Sequence, residues 1–241
     1  MHLQTAYKNF FRDKKIGFPK FKSAKHSRKT YTTNNQNGTV SIIGNGIKLP
    51  KVGIVKAKIH RQPDTDWKIK SAIISQDKDD KFYVSVLFEF DKTINQVPIS
   101  NNVIGLDYKS DGLYADSNGN VCGSPKYYRK SQKKLAKLQR QLSHKEKDSN
   151  NHNKARLKVA RLQKHTTNQW LDFLHKKSTE IANQYDVVCV ETLDMKNMSN
   201  KGFGNGKATL DNGYGLFLTM LEYKLADRGK YFVKVDKWFP I

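Results

Sequence analysis

Two short apolar runs, each closed by a carboxylate, constrain this chain more than any other feature of it. Val103-Ile104-Gly105-Leu106 ends in Asp107, and Val187-Val188-Cys189-Val190 ends in Glu191. A strand that is apolar at every position, rather than at every second one, is buried on both faces and belongs inside a sheet covered by helices. Open α/β sheets bind ligands at the carboxyl ends of such strands. A buried acid there needs a donor or a cation. Two-metal phosphodiester hydrolysis gathers several carboxylates on divalent ions about 3.5–4 Å apart, and Asp107 and Glu191 can supply two of them. A strand-end acid also serves as a cap or a salt-bridge partner, so the pattern by itself leaves both roles open.

The segments around those runs extend the same architecture. A second strand is expected at Leu113–Asp116 and a third at Tyr231–Val235. A helix bearing Leu216, Leu218, Met220, Leu221 and Leu225 precedes the latter, after a loop rich in glycine (Gly202, Gly204, Gly206). Residues 126–147 have helical periodicity, as do residues from about 154 to 184, with a polar break at Asp148–Asn153. In the simplest antiparallel hairpin Leu135, Leu138 and Leu142 face Leu157, Leu162, Leu171 and Leu174. The first of these helices carries Lys126, Arg129, Lys130, Lys133, Lys134, Lys137 and Arg140. A charge run is most often a solvated face. Charge of a single sign repels itself unless a polyanion lies against it, and this points to nucleic acid.

The first half reads differently. Leu3, Ala6, Tyr7, Phe10 and Phe11 recur at helical spacing, and Gly17 and Pro19 end that helix. From Lys14 to Lys29 basic residues interleave with Phe18 and Phe21. Such aromatics either stack on bases beside phosphate contacts or anchor the loop on the core. From Tyr31 to Phe90 the period becomes two: Val55, Ala57 and Ile59 alternate with Lys56, Lys58 and His60, and Val84, Val86, Phe88 and Phe90 alternate with Tyr83, Ser85, Leu87 and Glu89. Turn signals at Gly38, Gly44-Asn45-Gly46, Pro63-Asp64 and Asp77–Lys81 punctuate them, as in a small antiparallel sheet or barrel. Asp91–Asn102 has no periodicity and reads as a domain junction.

Composition narrows the partner. Forty-four Lys plus Arg against 22 Asp plus Glu give a formal charge of +22 over 241 residues, which suits a polyanion that releases condensed counterions on binding. A basic protein made soluble by its charge is the plain alternative. The chain is long enough for one large domain or two small ones. Cys122 and Cys189 form no C-x-x-C pair, which excludes a zinc knuckle or redox motif and leaves two reduced thiols. No apolar run approaches the length of a membrane span and no signal peptide opens the chain, so a cytoplasmic, nucleoid-associated protein is expected.

Four stretches, in order, carry a resemblance. Ile104-Gly105-Leu106-Asp107-Tyr108-Lys109 resembles the first motif of the RuvC-like nuclease domain of TnpB proteins, the transposon-encoded, RNA-guided bacterial relatives of type V CRISPR effectors. Val188 to Met198 resembles their second motif, with Glu191 as its metal-binding acid. Ala6 to Phe11 followed by Gly17 to Ser23 resembles the boundary between the family's helical recognition domain and its wedge barrel. Val235-Asp236-Lys237-Trp238-Phe239-Pro240 resembles the strand leading into its zinc ribbon.

The resemblance implies a mixed α+β and α/β chain. Residues 1–29 would be a remnant of the recognition domain with a basic loop, 30–99 a small antiparallel β-barrel (the wedge), and 100–241 an incomplete RuvC-like (RNase H-like) domain with an inserted basic helical hairpin. It implies guide RNA as the bound cofactor and target double-stranded DNA as partner, with magnesium possible but not required. Lys25, Arg28 and Lys29, beside Tyr31, Thr32 and Thr33, would grip RNA scaffold and flanking DNA, and Lys126–Arg140 would follow the heteroduplex backbone. The family's zinc ribbon and third acidic motif are not in the sequence, and Asp194, Asp211 or Asp236 could substitute for the missing acid. A nuclease-dead binder like the TnpB-like repressors called TldR, occupying promoters to block transcription, is therefore expected. The competing expectations are a metal-dependent nuclease completed by another chain, and a guide-RNA-binding module that does not target DNA.

Overall fold

A computed structural model describes residues 2–21, 23, 29–193 and 213–236. The chain divides into two compact units, Met1–Asp91 and Lys92–Ile241.

In the first unit, the aromatic stripe at the N-terminus forms helix α1 (His2–Arg12), followed by a 3₁₀ turn at Lys14–Ile16 that the Asp13 carboxylate caps by accepting from the Lys15 amide. Tyr7 and Phe10 hold Phe18 edge-on, at 5.5 and 5.4 Å between ring centroids. Phe18 is thus an anchor for its loop, whereas Phe21 is 97% exposed. Six strands follow: β1 (Thr30–Asn34), β2 (Ser41–Ile43), β3 (Gly46–Leu49), β4 (Gly53–Lys56), β5 (Lys68–Gln76) and β6 (Phe82–Glu89). They form two three-stranded antiparallel sheets, β1-β5-β6 and β2-β3-β4, over a small core of Val40, Ile47, Leu49 and Ala72.

The expected closed barrel is not formed by these strands. Among the described residues β1 and β6 pair only with β5, and β2 and β4 only with β3, so each sheet keeps its edges there. The alternation from Val55 to Ile59 does not continue as strand. β4 stops at Lys56, and the Ala57 amide donates to the Asn45 carbonyl at the mouth of the β2–β3 turn. The chain returns at Trp67, whose ring stacks on Phe90 at 4.2 Å with the Arg61 guanidinium over it. Side-chain stacking thus tethers the segment that follows β4, where the alternation of residues 57–60 predicts ladder hydrogen bonds.

The second unit holds the acid-terminated runs. Its elements are β7 (Val103–Tyr108), β8 (Gly112–Asp116), β9 (Val121–Gly123), α2 (Tyr127–Ser143), α3 (Asn150–Gln184), β10 (Val187–Glu191), α4 (Tyr214–Ala226) and β11 (Tyr231–Val235). They build one mixed sheet in the order β11-β10-β7-β8-β9, with β10 parallel to both neighbours and β7-β8-β9 an antiparallel meander. Ile104, Leu106, Val188 and Val190 meet Leu174 and Ile181 of α3 and Tyr214, Phe217, Met220, Leu221 and Leu225 of α4 in a single core. At roughly 1.5–3 kcal/mol per fully buried large apolar side chain, this core is what holds α3 and α4 on the sheet. Lys224 adds a polar tie: buried to 8% exposure, its ammonium donates to the His175 carbonyl and to the Ser178 and Thr179 hydroxyls of α3 at 2.7–2.8 Å.

Two details of the hairpin differ from expectation. The break between α2 and α3 lies at residues 144–149, because Asp148 takes a positive φ of 66° and the Ser149 hydroxyl then caps α3 by accepting from the His152 amide. Leu171 and Leu174 pack on the sheet core, and the buried residues of α2 and of the first half of α3 are Leu135, Val159 and Ala160. The segment that reads as a junction is strapped to the second unit. Lys92 bonds Asp227, the Val97 amide donates to the Gly229 carbonyl, and Ser100 donates to Asp186. Among the described residues no helix is long and apolar enough to cross a membrane.

Candidate functional site

The register of β7 and β10 brings the two acids together. Val188 lies beside Ile104 and Val190 beside Leu106, so one residue further along each parallel strand Asp107 and Glu191 become neighbours at the carboxyl edge of the sheet. Adjacent strands run about 4.8 Å apart. Alternation places both acids on the face opposite Leu106 and Val190, which are buried against the helices. Asp107 is exposed and Glu191 half-buried. Both are braced on their outer sides. Asp107 pairs with Ala115 of β8, Glu191 pairs with Val235 of β11, and the Thr192 amide donates to the Val235 carbonyl at 2.8 Å.

Tyr214, the first residue of α4, closes the gap between them from below. It is fully buried, packs on Tyr108 and Phe217, and donates its hydroxyl to the Leu106 carbonyl at 3.3 Å. Burial holds its phenol well above the usual tyrosine value, and the charges of Asp107 and then Glu191 push in the same direction. Tyr214 therefore stays protonated, as a donor, within electrostatic reach of both carboxylates. Nothing in the sequence distinguishes it from a core aromatic; the one signal is its place directly after a glycine-rich loop. Gly213 before it has φ +59°, and a Cβ there would fall 1.7 Å from the Trp170 ring.

Two carboxylates with hard oxygen donors on neighbouring strand ends fit a magnesium-like cation, which favours such ligands. No three His, Cys, Asp or Glu side chains converge among the described residues. Of the acids that could substitute for a third ligand, Asp194 and Asp211 lie outside the described residues, and Asp236 follows β11 at the same edge of the sheet.

The basic hairpin is a separate feature of the same unit. Lys126, Arg129, Lys130, Lys133, Lys134, Lys137 and Arg140 are all exposed, and no acidic residue occurs within α2. Lys130, Lys133, Lys137 and Arg140 recur every three or four residues and so share one stripe of the helix. Lys126 itself is not helical; it takes the left-handed conformation at the N-cap. The first acid of α3 is Asp172, which pairs with Lys176 near the sheet. Glu146 and Asp148 sit in the turn, and apart from them every formal charge from Lys126 to His165 is positive. The Thr166 hydroxyl donates to that of Ser131, pinning the two helices.

The candidates of the first unit are described only in part. Lys25 and Arg28 lie outside the described residues, and Lys29 is exposed. Tyr31 and Thr33 pair with Ile74 and Ala72 on one face of β1, while Thr32 faces the other way. The Tyr31 hydroxyl donates to the Pro50 carbonyl and that of Thr33 to the Asn34 carbonyl.

Comparison with known proteins gives the chain its relatives. The family model OrfB_IS605, described as "Probable transposase", matches residues 83–202, a span that includes both acids and the hairpin. A curated protein of Streptomyces pristinaespiralis named "Putative RNA-guided DNA endonuclease" is 34% identical over 244 residues, 99% of this chain and 58% of the relative. A second, the "Putative RNA-guided DNA endonuclease InsQ" of Escherichia coli K12, is 33% identical over 241 residues, 94% of this chain and 58% of its own length. The chain thus spans 58% of the length of both curated relatives. Among solved structures, "Cryo-EM structure of the Cas12f1-sgRNA-target DNA complex" superposes with a TM-score of 0.54 at 12% identity, covering 95% of this chain and 58% of that one. At that identity the likeness speaks for the fold alone. Matched by a transposase family model across its acid-bearing segment and by two relatives along nearly its whole length, this chain belongs to the TnpB-like proteins.

Proposed function

We propose that the chain works as part of an RNA-guided DNA-binding protein, with guide RNA and target double-stranded DNA as partners. One observation carries the reading: a carboxylate pair suited to a divalent cation lies in the same compact unit as two facing helices whose charge, up to Asp172, is positive alone. In this reading α2 and α3 lie along the sugar–phosphate backbone of the guide–target heteroduplex. Their lysines and arginines position it and carry no sequence information, which base pairing supplies. The first unit contributes contacts to RNA and flanking DNA through Lys29 and the segment 22–28. The names of the two curated relatives support the same class of activity.

Asp107 and Glu191 would hold a divalent cation, which when bound polarises a phosphate oxygen and lowers the pKa of water. The side chains themselves do three things. They bind, they keep a negative edge that only a cation can bring next to DNA, and, on backbones braced by β8 and β11, they meet at the same edge of the sheet. Both acids are in register at one edge of the sheet, which supports a cation-dependent activity beside occupancy. The expectation of a nuclease-dead repressor draws no support from it.

The experiment incubates the RNA-bound protein with end-labelled matched duplex and magnesium, in parallel with Asp107→Asn and Glu191→Gln. Cleavage is expected with the parent protein and is expected to be lost in EDTA and in either variant, with DNA binding retained. DNA bound but intact in every case would replace cleavage by occupancy and return the repressor reading.

A further inference from the structure

We infer that Tyr214 is a positioning residue for the acid pair: its buried hydroxyl fixes the Leu106 carbonyl and thereby the direction in which Asp107 leaves β7 toward Glu191. The inference rests on the reading of Asp107 and Glu191 as cation ligands. The parallel ladder between β7 and β10 ends at Leu106 and Val190. The bonds of that last pair, with β8 beside Asp107 and β11 beside Glu191, hold the two backbones. The direction in which each side chain leaves its strand is set by the peptide links next to it, and these need a brace of their own if the two acids are to share a cation.

Tyr214 lies where that brace is needed. Its ring is fully buried against Tyr108 and Phe217, and its hydroxyl reaches the peptide link between Leu106 and Asp107. A phenylalanine would fill the same volume, so packing does not explain the hydroxyl. A buried hydroxyl costs free energy unless bonded, and its partner is the carbonyl immediately before the acid. The helix that carries it is fixed at both ends. Gly213, in the left-handed conformation and pressed by Trp170, sets where α4 begins, and Lys224 ties its far end to α3. Outer-shell partners that orient ligating carboxylates typically change metal affinity by about 10- to 100-fold when removed.

The test is manganese binding, followed by electron paramagnetic resonance, on the full chain freed of nucleic acid. Four proteins are compared: the parent, Tyr214→Phe, Phe217→Leu as a packing control on the same helix, and the double variant Asp107→Asn with Glu191→Gln. The parent is expected to bind manganese in a way the double variant abolishes. Tyr214→Phe is expected to weaken that binding roughly tenfold or more, while Phe217→Leu lowers the melting temperature and leaves affinity within about twofold. Parent-like affinity in Tyr214→Phe overturns the inference, and so does an equal loss in Phe217→Leu, which would reduce Tyr214 to packing. Equal binding by the parent and the double variant overturns instead the assignment of Asp107 and Glu191.

Discussion

Asp186 stands at the turn from α3 into β10, just before a strand that carries one acid of the site to the sheet edge. It accepts from the Ser100 hydroxyl at 2.7 Å and pairs with Lys230 at 3.1 Å. Those two interactions, the serine bond first, hold its carboxyl below the usual aspartate range. Lys230 also donates to the Asn183 and Tyr185 carbonyls, satisfying the end of α3. Because the folded value is lowered, this stabilisation is present above the unfolded aspartate value of about 3.9 and is lost as pH falls through the folded one. Thermal melts of the parent and Asp186→Asn should differ most above about pH 5 and converge as the pH drops below about 4. A gap of constant size across that whole range would show that Asp186 contributes through shape and not through charge. At this scale the two metal-ligand candidates are legible in the sequence, because an apolar run cut off by an acid is a local pattern. Tyr214 is not, because its role depends on a hydrogen bond to a residue 108 positions away.

At the scale of elements, the hairpin α2–α3 is the clearest candidate for a nucleic-acid surface. Periodicity alone reveals both helices, since the leucine spacing and the single-sign charge are local. Their boundaries escape it because the cap comes from Ser149 after a left-handed Asp148, and polar residues continue on both sides of it. Their pairing escapes it because α3 is 35 residues long and serves two partners, α2 along its first half and the sheet along its second. The strands of the first unit show the converse. Alternation identifies β5 and β6, but closure depends on which edges find each other across long loops, and a pattern of period two is silent on that. Substituting Lys133, Lys134 and Lys137 together by alanine should weaken binding to all guides and matched targets alike. It should also reduce the slope of log affinity against log salt by about 2–3, since each phosphate neutralised by a lysine releases close to one counterion. Fluorescence anisotropy across a salt series measures this, and an unchanged slope would remove α2 from the interface.

At the scale of the whole chain, the sequence folds into two compact units and carries a formal charge of +22, which suits the polyanionic partner proposed above. The second unit offers an acid pair suited to a divalent cation at the carboxyl edge of its sheet, and the first supplies short antiparallel sheets rather than a closed barrel. In the proposed function an RNA, and not the protein, carries the sequence information. The measurement that tests it most directly is to purify the protein after expression with its native flanking locus, sequence the RNA that accompanies it, and measure binding to duplexes matched or mismatched to that RNA. One defined RNA is expected, with tight binding to the matched duplex that falls steeply as mismatches enter the paired region. A heterogeneous RNA population, or equal affinity for matched and mismatched DNA, would contradict the account.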